Sequence, residues 1–150
     1  MSWILDRLFD PEPRFLAISA PTGSGKTVLA ALSSVLYNQR SVILTATKSL
    51  QTQYQSQLGD GLLADLRGAN AYRCSLDPNV DAASGVCRAG LGCVTPYCAH
   101  RQAMSSALRS PVVLTNYACW LYNANQLSGE NNPVQLLVLD EAHQAYNQLS

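Results

Sequence analysis

The stretch APTGSGKT, residues 20–27, is the part of the chain that decides its fold. It follows an apolar run at residues 14–20 and leads into a helical pattern at residues 27–39. Gly23 and Gly25 let a short loop fold so tightly that successive backbone N–H groups point at one anion. A loop of this kind between a strand and a helix is typical of a phosphate-binding site.

This loop contains the groups that a nucleoside triphosphate needs. The pattern predicts that Lys26 contacts the β- and γ-phosphates and that the Thr27 hydroxyl coordinates Mg²⁺. Ala20 stands where the usual pattern has glycine, a mild departure because that position needs positive φ less strictly. The alternative is a glycine-rich turn with a chance lysine. The predicted nucleotide-binding residues are Thr22, Gly23, Ser24, Gly25, Lys26 and Thr27.

Apolar runs and helical patterns alternate along the chain, beginning with the apolar run before this loop. Strands are predicted at residues 14–20, 41–45, 111–116 and 134–140, and helices at 27–39, 48–58 and 99–109. The last strand is continuously apolar, which is typical of a strand covered on both faces. The alternation predicts an α/β fold with a parallel sheet.

An acidic box, VLDEAH at residues 138–143, ends the last predicted strand. In a parallel sheet the carboxyl ends of the strands lie at one edge, beside the ligand crevice. Asp140 could therefore hold Mg²⁺, and Glu141 could orient the water that attacks the γ-phosphate. His143 would link the nucleotide state to the rest of the protein. The alternative is a pair of acids in the first turn of a helix, where negative charge is favourable.

Four of the five cysteines lie within residues 73–98, in a stretch without helical or strand periodicity. Cys74, Cys87, Cys93 and Cys98 are separated by 12, 5 and 4 residues. The N-terminal residues do not resemble a secretory signal, and no apolar run approaches the roughly 20 residues that span a bilayer. We therefore expect an intracellular protein, cytoplasmic or nuclear, without membrane contact, in which thiols stay reduced and serve as metal ligands.

The spacing of these cysteines leaves two metals open. Structural zinc sites usually use pairs separated by 2–4 residues, which only the last pair satisfies. Four thiolates spread more loosely, with glycines between them, suit an iron–sulfur cluster, whose ligation would hold a segment that has no core of its own. The formal net charge is zero, so that composition by itself does not indicate nucleic-acid binding.

The order of the motifs resembles that of the XPD/DinG-like iron–sulfur DNA helicases, a group within superfamily 2. The resemblance runs from about residue 15 to residue 143. It rests on APTGSGKT, LTATKSLQTQ (44–53), LRGANAYRC (66–74), CVTPYCAHRQA (93–103), VVLTNYACWL (112–121) and VLDEAH. Each motif alone is moderately specific, and all of them in this order are highly specific.

The resemblance implies the first RecA-like P-loop domain of an ATP-dependent helicase that moves 5′ to 3′ on single-stranded DNA. It implies ATP, Mg²⁺ and a [4Fe–4S] cluster, the last held by Cys74, Cys87, Cys93 and Cys98 in an insertion at about residues 67–100. The catalytic residues would be Lys26, Asp140, Glu141 and His143. The DNA backbone would contact Thr47, Lys48 and Gln53, for which the alternative is a solvated helix start.

The resemblance also implies features that these 150 residues lack. Helicases of this group have a second RecA-like domain, which supplies an arginine to the transferring phosphate. We therefore expect residues 1–150 to be a partial ATP-binding domain, either a fragment of a longer helicase or a truncated relative. Two further readings are a non-catalytic DNA-binding or regulatory module that retains the cluster, and a zinc-binding P-loop ATPase.

Overall fold

The computed structural model describes residues 6–7, 10, 15–21, 23–58, 61–85 and 95–145. Four strands in these residues form one parallel sheet in the order β2-β3-β1-β4. The strands are β1 (Ser41–Thr45), β2 (Ala64–Asp65), β3 (Val112–Asn116) and β4 (Leu136–Leu139). The predicted α/β fold with a parallel sheet is confirmed, and all carboxyl ends lie at one edge.

In the described part of the chain, one helix precedes β1 and three others connect the strands: α1 (Lys26–Leu36), α2 (Lys48–Leu58), α3 (Ala99–Arg109) and α4 (Tyr117–Leu127). Helix α1 ends earlier than predicted because Asn38 takes a left-handed conformation, with a φ of 51°, just beyond it. Helix α4 and the two-residue strand β2 were not predicted. Asn116 caps α4 by accepting a hydrogen bond from the backbone N–H of Cys119 at 2.9 Å.

The central strand β1 is buried at every position and separates two apolar clusters. Its residues alternate between the two faces of the sheet, as strand geometry requires. One cluster contains Val42, Leu44 and Val113 with Ala107 of α3 and Leu127 of α4. The other contains Ile43, Val112 and Leu114 with Ala31 of α1 and Tyr54 of α2. The sheet therefore lies between two helical layers.

The strand predicted at residues 14–20 is wrong for residues 15–20, which adopt no strand conformation, while residue 14 lies outside the described residues. Phe15 is 93% exposed. Burial of β4 on both faces was also predicted wrongly, because Leu137 and Leu139 are exposed. The two errors have one physical reason: β4 is the outer strand of the described sheet, and residues 15–20 do not pair with it.

Arg40, directly before β1, joins two helices at the amino edge of the sheet. Its Nη1 donates to the carbonyl of Ser110 at 2.6 Å, and its Nη2 donates to Ala107 at 3.2 Å and Leu127 at 3.0 Å. The last carbonyls of α3 and α4 lack partners within their helices, and a cation is favourable there. Burial lowers the pKa of Arg40, but a guanidinium keeps its charge in proteins.

No helix among the described residues is both long and apolar enough to cross a membrane.

Candidate functional site

The glycine loop has the backbone conformation that its sequence predicts. Gly23 and Gly25 have φ values of 78° and 82°, in the left-handed region that favours glycine. A Cβ at either position would meet no atom within 4 Å, so glycine is required by conformation and not by space. Gly25 directly precedes α1, whose N-terminal N–H groups are available to an anion. Thr22 lies outside the described residues.

Lys26 and Thr27 form the first turn of α1 and are both half-buried. The Lys26 ammonium donates to the carbonyl of Ala20 at 3.0 Å and lies 3.4 Å from that of Pro21. Among the described residues it makes no ion pair with a carboxylate. The ammonium therefore lies folded over its own loop, with its charge available to a phosphate.

Asp140 directly follows β4 and is held at both its main chain and its side chain. Its N–H donates to the carbonyl of Leu44 at 2.9 Å, and its own carbonyl accepts from the Tyr117 hydroxyl at 3.2 Å. Its Oδ2 accepts from the Tyr54 hydroxyl at 2.9 Å. Burial first, and then the charge of Asp140, raises the pKa of Tyr54, so that its hydroxyl stays protonated and donates.

Glu141 and His143 lie together at the surface end of the acidic box. Glu141 has a φ of 54°, an uncommon conformation for a residue with a side chain. Its Oε2 lies 3.4 Å from Nδ1 of His143, whose side chain is 72% exposed. The described residues beyond Asp140 include a 3₁₀ turn, Ala142–Gln144. Backbone strain of this kind is found at functional sites, where surrounding structure maintains it.

The residues predicted to contact DNA lie on α2, at the carboxyl edge of β1. Thr47, Lys48 and Gln53 are all exposed. The Thr47 hydroxyl accepts from the N–H of Leu50 at 3.2 Å and so caps α2. The Lys48 ammonium donates to Oδ1 of Asn70 at 3.2 Å. These positions suit phosphate contacts, and they also suit the alternative of a solvated helix start.

A buried polar connection that the sequence pattern did not predict lies among the same strand ends. Gln51, which is fully buried, donates to Oδ1 of Asp65 at 2.9 Å and to the carbonyl of Leu66 at 3.2 Å. Its Oε1 accepts from the side-chain amide of Asn116 at 3.1 Å. The residue therefore joins α2 to the ends of β2 and β3. Its spacing of three from Tyr54 on one helix face was the only available signal.

Two of the four clustered cysteines, Cys74 and Cys98, are described, and both are buried. Their chain segments meet, because the hydroxyl of Ser75 donates to the carbonyl of Tyr97 at 3.0 Å. A Cβ on Gly85 would lie 2.9 Å from Sγ of Cys74, so glycine backbone packs directly against that sulfur. Cys87 and Cys93 lie outside the described residues, within which no group of three or more metal-binding side chains occurs.

These observations fit a metal centre, to which the described residues would contribute two of the four thiols. Two segments that are far apart in sequence, each with a buried thiol, meet, and the Gly85 backbone leaves no room for a side chain beside one of the sulfurs. The segment also has backbone structure of its own. The N–H of Cys74 donates to the carbonyl of Val80 at 3.0 Å, and the N–H of Ala82 to that of Tyr72 at 2.8 Å.

Comparison with known protein families agrees with the sheet, the glycine loop and the acidic box. The family model described as DEAD/DEAH box helicase matches residues 5–149. The comparison with curated proteins gives no match. A domain of this kind implies ATP-dependent helicase activity on nucleic acid, with ATP and Mg²⁺ as cofactors. Since the match covers nearly all of its residues, the chain belongs to the family of DEAD/DEAH box helicases.

Proposed function

We propose that the chain is the ATP-binding part of an iron–sulfur DNA helicase of the XPD/DinG-like group, moving 5′ to 3′ on single-stranded DNA. The observation that carries the proposal is the meeting of the buried Cys74 and Cys98 segments inside a DEAD/DEAH box helicase domain. An ATP-driven motor has no need of clustered thiols for nucleotide chemistry. Their burial beside a glycine backbone supports a structural metal centre.

In this proposal the nucleotide binds between the glycine loop and the acidic box. The N–H groups at the start of α1 and the Lys26 ammonium hold the phosphates. Mg²⁺, when bound, neutralises charge on the transferring phosphoryl group, and Thr27 and Asp140 are the side chains that would hold it. Glu141 accepts a proton from the attacking water and orients it. An arginine from a second RecA-like domain would complete the site, as in related helicases.

The DNA strand follows the carboxyl edge of the sheet, along the first turn of α2. Thr47, Lys48 and Gln53 would contact phosphate oxygens, which carry no sequence information. Binding is then insensitive to base sequence and weakens with added salt. Because the second domain is not within these residues, we expect the purified 150-residue chain to bind nucleotide weakly and to separate no strands. Measurable unwinding of a duplex by this chain would contradict that expectation.

The four thiols Cys74, Cys87, Cys93 and Cys98 would hold the [4Fe–4S] cluster, which supplies ligation free energy to a segment with few apolar contacts. We expect anaerobically purified protein to be brown, with visible charge-transfer absorption and about four iron atoms per chain. Cys98→Ser should lose most of this absorption. Colourless protein that contains zinc would overturn the cluster and support a zinc-binding P-loop ATPase.

A second prediction concerns the glycine that contacts the Cys74 sulfur. Gly85→Ala places a Cβ 2.9 Å from Sγ, a distance that real Cβ atoms essentially never show, so that the sulfur or the backbone must shift. We expect the iron content per chain to fall at least twofold. The control is Gly129→Ala, whose Cβ would make an ordinary contact of 3.5 Å with the carbonyl of Asn125. Equal iron content in both variants would contradict a metal centre at Cys74.

A further inference from the structure

Tyr54 is a fully buried side chain on α2 whose hydroxyl reaches the acidic box. It donates to Oδ2 of Asp140 at 2.9 Å. Its ring packs in the cluster that contains Ile43 and Leu114 of the central strands. A ring enclosed in this way has little freedom to move, so the position of its hydroxyl is fixed by the core.

The Asp140 carboxylate depends on this hydroxyl for its direction. The backbone of Asp140 is held separately, by Leu44 and by the Tyr117 hydroxyl. Among the described residues, only Tyr54 donates a hydrogen bond to the carboxylate itself. The bond occupies Oδ2, and Oδ1 receives none from the described part of the chain. A carboxylate attached to a fixed backbone and held at one oxygen presents its other oxygen in one direction.

We infer that Tyr54 is a positioning residue for the metal–nucleotide complex: its hydroxyl holds Oδ2 of Asp140 and thereby directs Oδ1 toward the cation. The inference rests on the proposed function, in which Asp140 is a magnesium ligand. Hydrogen bonds to a ligating carboxylate typically change metal affinity by about 10–100-fold. Tyr54 touches neither nucleotide nor metal, and acts only through Asp140. If the hydroxyl only completed the hydrogen bonding of the core, its removal would lower the stability of the protein and leave the Mg²⁺-dependent nucleotide affinity unchanged.

The test is Tyr54→Phe in the whole chain, which removes the hydroxyl and keeps the ring. Binding of a fluorescent ATP analogue is measured with excess Mg²⁺ and again with EDTA. We expect about a tenfold weaker affinity in Mg²⁺ and an unchanged affinity in EDTA, because only the metal-dependent part passes through Asp140. Tyr122→Phe is the matched control, since Tyr122 is 85% exposed. It should behave as wild type in both conditions.

A double-variant cycle separates positioning from a general loss of structure. In an Asp140→Ala background, Tyr54→Phe should cause no further loss of Mg²⁺-dependent affinity. Tyr72→Phe also removes a tyrosine hydroxyl, one that accepts from the backbone N–H of Arg67 at 3.0 Å and makes no hydrogen bond to Asp140. Stabilisation of the protein by ATP, measured as a shift in Tm, should lose its Mg²⁺-dependent part in Tyr54→Phe and keep it in Tyr72→Phe.

The outcomes distinguish this inference from the proposed function. If Tyr54→Phe binds the analogue as tightly as wild type in Mg²⁺, or loses the same factor in EDTA, the positioning role is overturned. An equal loss of the Mg²⁺-dependent Tm shift in Tyr54→Phe and Tyr72→Phe overturns it as well. If the wild-type chain binds no nucleotide, or if binding survives Lys26→Ala, the proposed nucleotide site itself fails and the inference falls with it.

Discussion

Replacing Lys26 with alanine should weaken ATP binding by about 100-fold or more, which corresponds to about 2.7 kcal/mol. The ammonium is the one described cation at the glycine loop, and it now donates to the carbonyl of Ala20 at 3.0 Å. A triphosphate would replace that neutral acceptor with charged oxygens, which adds attraction between opposite charges to the hydrogen bond. Isothermal titration calorimetry of the purified chain measures the change.

The control for this variant removes a cation elsewhere. Arg109, in the last turn of α3, is exposed and donates only to Ser105 among the described residues. Arg109→Ala should leave ATP affinity within about twofold of wild type, because Arg109 ends α3 at the amino edge of the sheet, where α1 also ends, and exposed charges are screened by salt. The affinity for single-stranded DNA tests the alternative of a non-catalytic DNA-binding module. An affinity that changes neither with ATP nor in Lys26→Ala would favour that alternative.

The largest expected effect on stability comes from Arg40→Met. The variant keeps the apolar stem and removes every guanidinium hydrogen bond to Ala107, Ser110 and Leu127. Hydrogen bonds to a charged group contribute about 1.5–3 kcal/mol each, but contributions from one side chain do not add in full and the variant also removes the cost of burying a charge, so we expect a total loss of about 2–4 kcal/mol. The corresponding fall in Tm is about 6–12 °C for a domain of this size.

Chemical denaturation and calorimetry with two further variants make this prediction specific. Arg40→Lys retains the charge but has one nitrogen instead of a planar fork, so it should recover less than half of the loss. Arg101→Met removes an exposed arginine from α3 and should change stability by no more than about 0.5 kcal/mol. Equal stability of Arg40→Met and Arg101→Met would show that the guanidinium does not join the helix ends.

The sequence predicted the elements that are defined by local pattern. The strands β1 and β3 and the helices α2 and α3 lie within a residue of their predicted bounds. Their apolar spacing and the residues that flank them indicate the same boundaries. Helix α4 was missed because it begins directly at the end of β3, with only the side chain of Asn116 to mark the boundary. The apolar run at residues 15–20 shows the reverse error, since strand formation needs a partner that sequence pattern does not supply.

The residues of the candidate site also fall into two classes, those with a local sequence signal and those defined by long-range contacts. Residues whose role depends on local conformation, such as Gly23 and Gly25, could be assigned from the loop sequence alone. Gln51, Tyr54 and Arg40 could not, because their contacts join segments up to 87 residues apart in the chain. A buried glutamine and an exposed glutamine look alike in a polar helix, and only packing distinguishes them.

Helix α2 exposes Lys48 at its start and holds the Tyr54 ring inside the core. Lys48 and Tyr54 are separated by about 9 Å along the helix axis, which is less than two helical turns. A force on Lys48 would therefore act, through this short length of helix, against the same core packing that fixes the Tyr54 hydroxyl beside Asp140. In the proposed function, the residue that contacts the DNA strand and the residue that positions Asp140 would then belong to one short helix, with no loop between them.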